Sequence, residues 1–205
     1  MKKALAIIFT VLVADQLLKF WVKTHMMLGQ EIEIFPWFII HFTENMGMAF
    51  GMELGGQWGK LILSIFRMIA AVGLAYYLTL IVKKGASTGA IVAVSLVFAG
   101  AVGNIIDGMF YGAIFSESYG QLATVFPEDG GYAPMLYGRV VDMFYFPLIE
   151  GHFPAWFPIW PNEQFIFFRH IFNIADAAIT CGMALIILFQ KEFFGEEAAV
   201  AAPEN

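Results

Sequence analysis

Residues 4–22 read ALAIIFTVLVADQLLKFWV, and this stretch decides the fold. Nineteen residues at 1.5 Å each cover a hydrocarbon core about 30 Å thick, so the segment is a membrane-crossing helix. Lys2 and Lys3 ahead of it give it the look of a cleavable leader. No small-residue cleavage site precedes Thr24 and His25, and further apolar runs follow, so the expectation is a retained span. Those runs cover residues 61–82, 86–106 and 167–189. The third is rich in Gly, Ala and Val, a composition that lets helices approach closely in lipid.

Composition agrees with this reading. Of 205 residues 60% are hydrophobic and 14% charged, against about 25% charged in a soluble domain, and the mean hydropathy is +0.72. The net charge of −6, with no basic stripe, excludes nucleic acid as a partner. A single cysteine, Cys181, excludes an intrachain disulfide and a thiolate metal cluster; it reads as a small buried hydrophobe.

Four spans put both termini on one side of the membrane. Lys2, Lys3, Lys83, Lys84 and Lys191 all fall there, which makes that side cytoplasmic. The outward segments are then 25–58 and 108–166. The second holds Glu117, Glu128, Asp129, Asp142, Glu150 and Glu163 against the lone Arg139. Trp37, Trp58, Trp156 and Trp160 read as interface anchors. Within 31–41, EIEIFPWFIIH reads as short strands broken at Pro36. Residues 119–137, rich in Tyr, Gly and Pro, read as an irregular excursion. Residues 1–195 form one membrane domain, and the tail 196–205 (EEAAVAAPEN) reads as disordered and cytoplasmic.

The chemistry must come from ionisable residues in or beside the spans, where a charge is costly and so faces the interior and a partner. Asp15 and Lys19 are four apart and share a helix face. Asp176 lies two turns beyond Arg169 with only Asn173 beside it on that helix, so its partner comes from elsewhere. Asp107 and Asp142 are both candidates, and spacing does not choose between them. Two carboxylates held close share a proton and can activate a water. Arg67 in the second span pairs inside the bundle or lies where the helix meets water. His25, His41, His152 and His170 show no HExxH grouping, and there is no nucleophile elbow or P-loop, so no metal or organic cofactor is implied. A serine–lysine dyad would require Ser64 or Ser95 to meet Lys19. The same charges also suit a small transporter or ion relay, although the spans lack two-fold repetition, or a structural subunit whose charges pair with a partner protein.

Five blocks in order carry a family resemblance over residues 4–190: DQLLK at 15–19, ENMGMAFG at 44–51, GNIID at 103–107, GRVVDMF at 138–144 and FNIADAAI at 172–179. The chain resembles bacterial lipoprotein signal peptidase (signal peptidase II), an aspartic endopeptidase of the inner membrane. The resemblance implies Asp142 and Asp176 as the catalytic pair. It implies supporting roles for Asp15, Lys19, Asn45, Gly47, Asn104, Asp107 and Asn173. It further implies four transmembrane helices with a β-sheet cradle, supplied largely by residues 31–50, and a short helix, both outside the cytoplasm. The active site would lie at the periplasmic side. The substrate would be a diacylglyceryl-modified prolipoprotein, cut before its lipobox cysteine, and the enzyme would be a monomer contacting membrane lipid. Two departures stand out. Gly108 occupies a place where the family usually has Arg, and residues 109–137 form an insertion before the catalytic block. Arg139, close to Asp142 in sequence, is the candidate to supply the missing guanidinium.

Overall fold

The computed structural model describes residues 1–46 and 56–189, with the side chains of Gly56 and Gln57 left aside. Gly47, the rest of its block to Gly51, Lys191 and the tail lie outside the described residues. Helix α1 spans Lys2–His25, α2 Gly56–Lys83 and α3 Thr88–Ile106. Helix α3 runs on through a π-helical turn, Asp107–Tyr111, into the short α4, Gly112–Ile114. Among the described residues, three helices are therefore long and apolar enough to cross a membrane: Lys2–His25, Trp58–Lys83 and Thr88–Ile114. The first outlasts its expected end at Val22, and the second begins before Leu61.

Helix α1 is inverted relative to a soluble amphipathic helix. Its buried positions include Asp15, Lys19 and Lys23, while Leu5, Phe9, Leu17 and Phe20 are exposed. That arrangement is stable only where the surroundings are apolar and the interior is polar. Helix α3 packs against α1, α2 and α5, which spans Ile174–Leu188. Small residues make its close approach to α5 possible. A Cβ built on Gly100 would sit 2.2 Å from the Ala175 carbonyl oxygen, and one on Gly182 2.7 Å from that of Ala93.

The segment 167–189 does not form one long helix. Its first residue ends strand β5, Gln164–Phe167, which pairs antiparallel with β4, Ile149–His152. Helix α5 starts only after Asn173, whose side chain caps it by accepting from the Asp176 N–H at 2.8 Å. At 15 residues it is shorter than the other three long helices. Apolar Phe and Ile residues suit a strand as well as a span, which is why hydropathy alone merged the two.

The strands expected around Pro36 are β1, Glu31–Phe35, and β2, Phe38–Asn45, joined in a hairpin. Strand β3, Val140–Tyr145, pairs with the other edge of β2, with Thr43 opposite Asp142 and Glu44 opposite Val141. Side chains alternate along each strand. One face therefore carries Phe42, Val141 and Met143 into a buried core with Val22, Met26, Tyr111 and Phe115. The other face presents Asn45 and Asp142. The excursion 119–137 contains no named helix or strand and is stitched back to the end of α3: Tyr132 N–H donates to Phe115 O, Ala133 N–H to Gly112 O and Gly138 N–H to Gly108 O.

Candidate active site

The site is assembled at the end of the bundle where α1 and α3 finish and α5 begins. Strand β3 is held to the start of α5 by a single-residue bridge: the amides of Met143 and Phe144 donate to Phe172 O, and Phe172 N–H donates to Phe144 O. That bridge places Asn173 directly beside Asp142. Asn173 Nδ2 donates to Asp142 Oδ1 at 2.6 Å, and Asn45 Nδ2 donates to Asp142 Oδ2.

Asp176 is reached through a second amide. Asn104, on α3, donates from Nδ2 to Asp176 Oδ1 at 2.8 Å. Its Oδ1 accepts from Lys19 Nζ at 3.0 Å and from Asn173 Nδ2 at 3.2 Å. An ammonium only donates, so Lys19 forces the oxygen of Asn104 toward itself and the NH₂ toward Asp176. The Asp176 N–H acts likewise on Asn173, fixing its oxygen at the helix cap and its NH₂ toward Asp142. Asp142 and Asp176, 34 positions apart in sequence, are thus joined by two amides of fixed orientation.

Beneath this pair lies a buried charge triad. Lys19 Nζ is 2.8 Å from both Asp15 Oδ2 and Asp107 Oδ2, and all three side chains are within 1% of complete burial. The remaining oxygens are also satisfied. Asp15 Oδ1 accepts from Ala175 N–H at 2.9 Å, and Gln16 Nε2 donates to Asp107 Oδ1 at 2.9 Å. Asp107 Oδ2 also accepts from Val141 N–H at 3.3 Å. Removing one partner of such a group costs about 3–5 kcal/mol because it strands a buried charge. The triad therefore locks α1, α3, β3 and α5 together under the two aspartates. Gly103 is required here: a Cβ would come within 2.9 Å of Asp15 Oδ2.

Burial, and next the negative charge of Asp176, push the Asp142 carboxyl up to about 7. Asp142 is 3% exposed, whereas Asp176 is half-buried. The pair therefore has a closed side and an approachable one. A cavity of about 20 Å³ lies beside Asn104, lined by Ser64, Arg67 and Gly108 among others, so Arg67 faces this region of the bundle.

Arg139 lies in a different cluster. Its guanidinium bonds Glu117 at 2.8 and 3.0 Å and Glu44 at 3.1 Å. Glu44 also takes Lys23, whose ammonium donates to Ser118 Oγ at 2.8 Å. The Arg139 hydrogen bonds hold the half-exposed Glu117 below the usual carboxylate range. Sequence reasoning passed over Gln16, Lys23, Glu44 and Glu117. Lys23 had a legible signal, since Asp15, Lys19 and Lys23 follow one another at four-residue steps along one helix face. Glu44 had one too, as a charge in a strand beside a motif residue. Glu117 had none, because its partners depend on the path of the excursion.

Residues 7–191 match the family model described as Signal peptidase (SPase) II. A lipoprotein signal peptidase of Porphyromonas gingivalis is 53% identical over 188 residues, covering 91% of this chain and 82% of that protein. One of Amoebophilus asiaticus is 37% identical over 186 residues, covering 87% and 73%. A solved structure described as a bacterial membrane enzyme, obtained by the in meso method at 2.3 Å resolution, superposes with a TM-score of 0.61 at 24% identity. The match covers 100% of this chain and 94% of that one, a likeness of fold.

Proposed function

The chain belongs to the signal peptidase II family, and from that membership we propose that Asp142 and Asp176 are the catalytic pair with which it removes signal peptides from lipoprotein precursors. It is a multi-pass inner-membrane aspartic endopeptidase whose substrates are diacylglyceryl-modified prolipoproteins. The observation that carries the residue assignment is the double amide link, Asp142 to Asn173 and Asn104 to Asp176, which gives two carboxylates of unequal exposure a common, fixed frame.

A water held between the two carboxyl groups is the nucleophile. The ionised member takes its proton as the oxygen attacks the carbonyl carbon preceding the lipidated cysteine, and the protonated member donates a hydrogen bond to the carbonyl oxygen. Collapse of the tetrahedral intermediate expels the cysteine amine, which receives a proton from the pair. Lys19, Asp15 and Asp107 act beneath, holding Asn104 and the helix ends. Asn45 keeps the second oxygen of Asp142 oriented, and Gly47 follows it in the same block.

Helix α5 serves as the fourth, short span. Both termini are cytoplasmic, with Lys2, Lys3, Lys83 and Lys84 on that side, and with Asp107 at the opposite end of α3 and Asp176 at the outer start of α5. The exposed Trp156 and Trp160 near the β4–β5 hairpin, with Trp37 in the β1–β2 turn, then meet the outer membrane interface. The whole site comes from one chain, which supports a monomer. The transporter reading is unsupported: the two buried charge clusters among the described residues are closed, mutually satisfied groups.

The test is mass spectrometry of a precursor peptide carrying a diacylglyceryl cysteine, incubated with purified protein in detergent. A single cut on the amino side of that cysteine is expected, with at least tenfold slower cleavage of the unmodified peptide. No cut, or a cut elsewhere, removes the proposal.

A further inference from the structure

The second charge cluster is fully built and takes no part in the chemistry just described. Lys23 is 0% exposed, as is Ser118, and the Glu44 side chain is 1% exposed. The Lys23 ammonium lies 4.7 Å from the centre of the Tyr132 ring, and the Arg139 guanidinium lies 4.9 Å from it. The Tyr132 hydroxyl accepts from the Arg139 N–H at 2.7 Å. Burying the Lys23 cation and the Glu44 carboxylate is expensive, and an apolar replacement of similar volume would hold such a site at least as well. The placement of the cluster gives the charges a purpose.

Glu44 is the penultimate residue of β2, and Asn45 the last. Alternation sends the Asn45 side chain to the face where it bonds Asp142, while Glu44 points to the opposite face. There Glu44 is gripped from three directions: by Lys23 of α1, by Arg139 just ahead of β3, and by Ser118 of the 109–137 insertion. A strand end is where a ladder frays, and β2 already has an irregularity in its pairing with β3 between Ile40 and Thr43. The ion pairs therefore anchor the strand end that delivers Asn45. Glu117, itself on the insertion, closes the far side by holding Arg139 in a two-toothed grip.

Resting on the proposed roles of Asp142 and Asp176, we propose that Glu44 is a positioning residue, acting through Asn45 on Asp142, and that the 109–137 insertion contributes Glu117 and Ser118 to hold it there. The insertion is thus part of the catalytic frame. Displacing a catalytic group by about 1 Å costs on the order of 100-fold in rate, so loosening this anchor lowers turnover while leaving substrate binding in place.

The experiment measures kcat, KM and thermal unfolding for wild type, E44Q, the double variant K23M/E44L and E117Q, on the diacylglyceryl peptide. The double variant replaces a buried ion pair by apolar groups and leaves Arg139 paired with Glu117, so it preserves the fold without the anchor. Its expected result is a melting temperature near wild type, kcat reduced about 10- to 100-fold and KM within about twofold. E117Q removes no fully buried charge and should show a smaller fall in kcat, again at constant KM. Recovery of wild-type kcat in K23M/E44L would overturn the proposal, as would an unchanged kcat in E117Q. A loss of kcat in step with a loss of folded protein in both variants would also overturn it, since the role would then be structural. Absence of cleavage by the wild type would instead count against the catalytic assignment itself.

Discussion

Asp142 is held by two amide donors and feels the negative charge of Asp176, with Lys19 of α1 as an opposing cationic influence. Its carboxyl, pushed up to about 7, keeps a proton at pH values where a free aspartate, at about 3.9, has lost it. A pair that works with one proton loses it as pH rises, so kcat/KM should fall on the alkaline side with an apparent midpoint near 7. That value belongs to the pair and not to one residue. Stability follows the same sign. The folded state keeps a proton that the unfolded chain has released, so stability falls from about pH 4 up to about 7 and levels off above. Thermal unfolding at pH 5 and pH 8 should show this decline, and D142N should flatten it. A kcat/KM profile flat up to pH 9 would contradict the residue-level account. In the sequence, spacing could not choose between Asp107 and Asp142 as the partner of Asp176. The structure gives Asp107 a buried ion pair with Lys19 and leaves Asp142 with neutral amides, a difference set by contacts across chain separations that no local pattern records.

Among the elements, the tightest fit is between α3 and α5, which carry Asn104 and Asp176. Alanine at Gly100 would put its Cβ 2.2 Å from a backbone oxygen that cannot swing aside, so the helices must separate. Overpacking of this kind costs about 1–3 kcal/mol, and the Asn104–Asp176 bond opens with it. Gly73 in α2 has nothing within 4 Å of the same position, and there the substitution should be neutral or slightly stabilising. Thermal unfolding and turnover of G100A and G73A test this pairing; equal behaviour of the two variants would argue against it. The long spans and the β1–β2 hairpin were legible because their periodicities are local: unbroken apolar runs, and alternation interrupted at Pro36. The start of α5 was not, because Phe167 joins a β-hairpin in which it pairs with Ile149, the first residue of the partner strand. Nor was the β4–β5 hairpin itself. Its aromatic and proline-rich sequence matches neither a helical nor a clean two-residue period.

Over the whole molecule, one end holds buried charge and the other is packed inside by apolar side chains. Ala4, Leu78, Ile81 and Val94 close the far end, while both charge clusters sit where α1 and α3 emerge beneath the sheet. A membrane-bound protease working on a bond beside a lipid anchor needs this asymmetry. The carboxylates must be near water, and the substrate's acyl chains must remain in lipid. The orientation is testable with cysteines placed at Lys84 and Asp129 in a Cys181→Ser background, which is needed because Cys181 is exposed on α5 and not buried as its apolar run suggests. An impermeant thiol reagent applied to spheroplasts should label position 129 and spare position 84; the reverse pattern would invert the topology. The central claim is that Asp142 and Asp176 act as one unit, and turnover of D142N, D176N and the double variant measures that directly. Each single variant should lose at least about 1,000-fold in kcat while folding as wild type, and the double should lose no more than the worse single, as expected for groups that serve a single step. A single variant that keeps more than about a tenth of wild-type turnover would contradict the account.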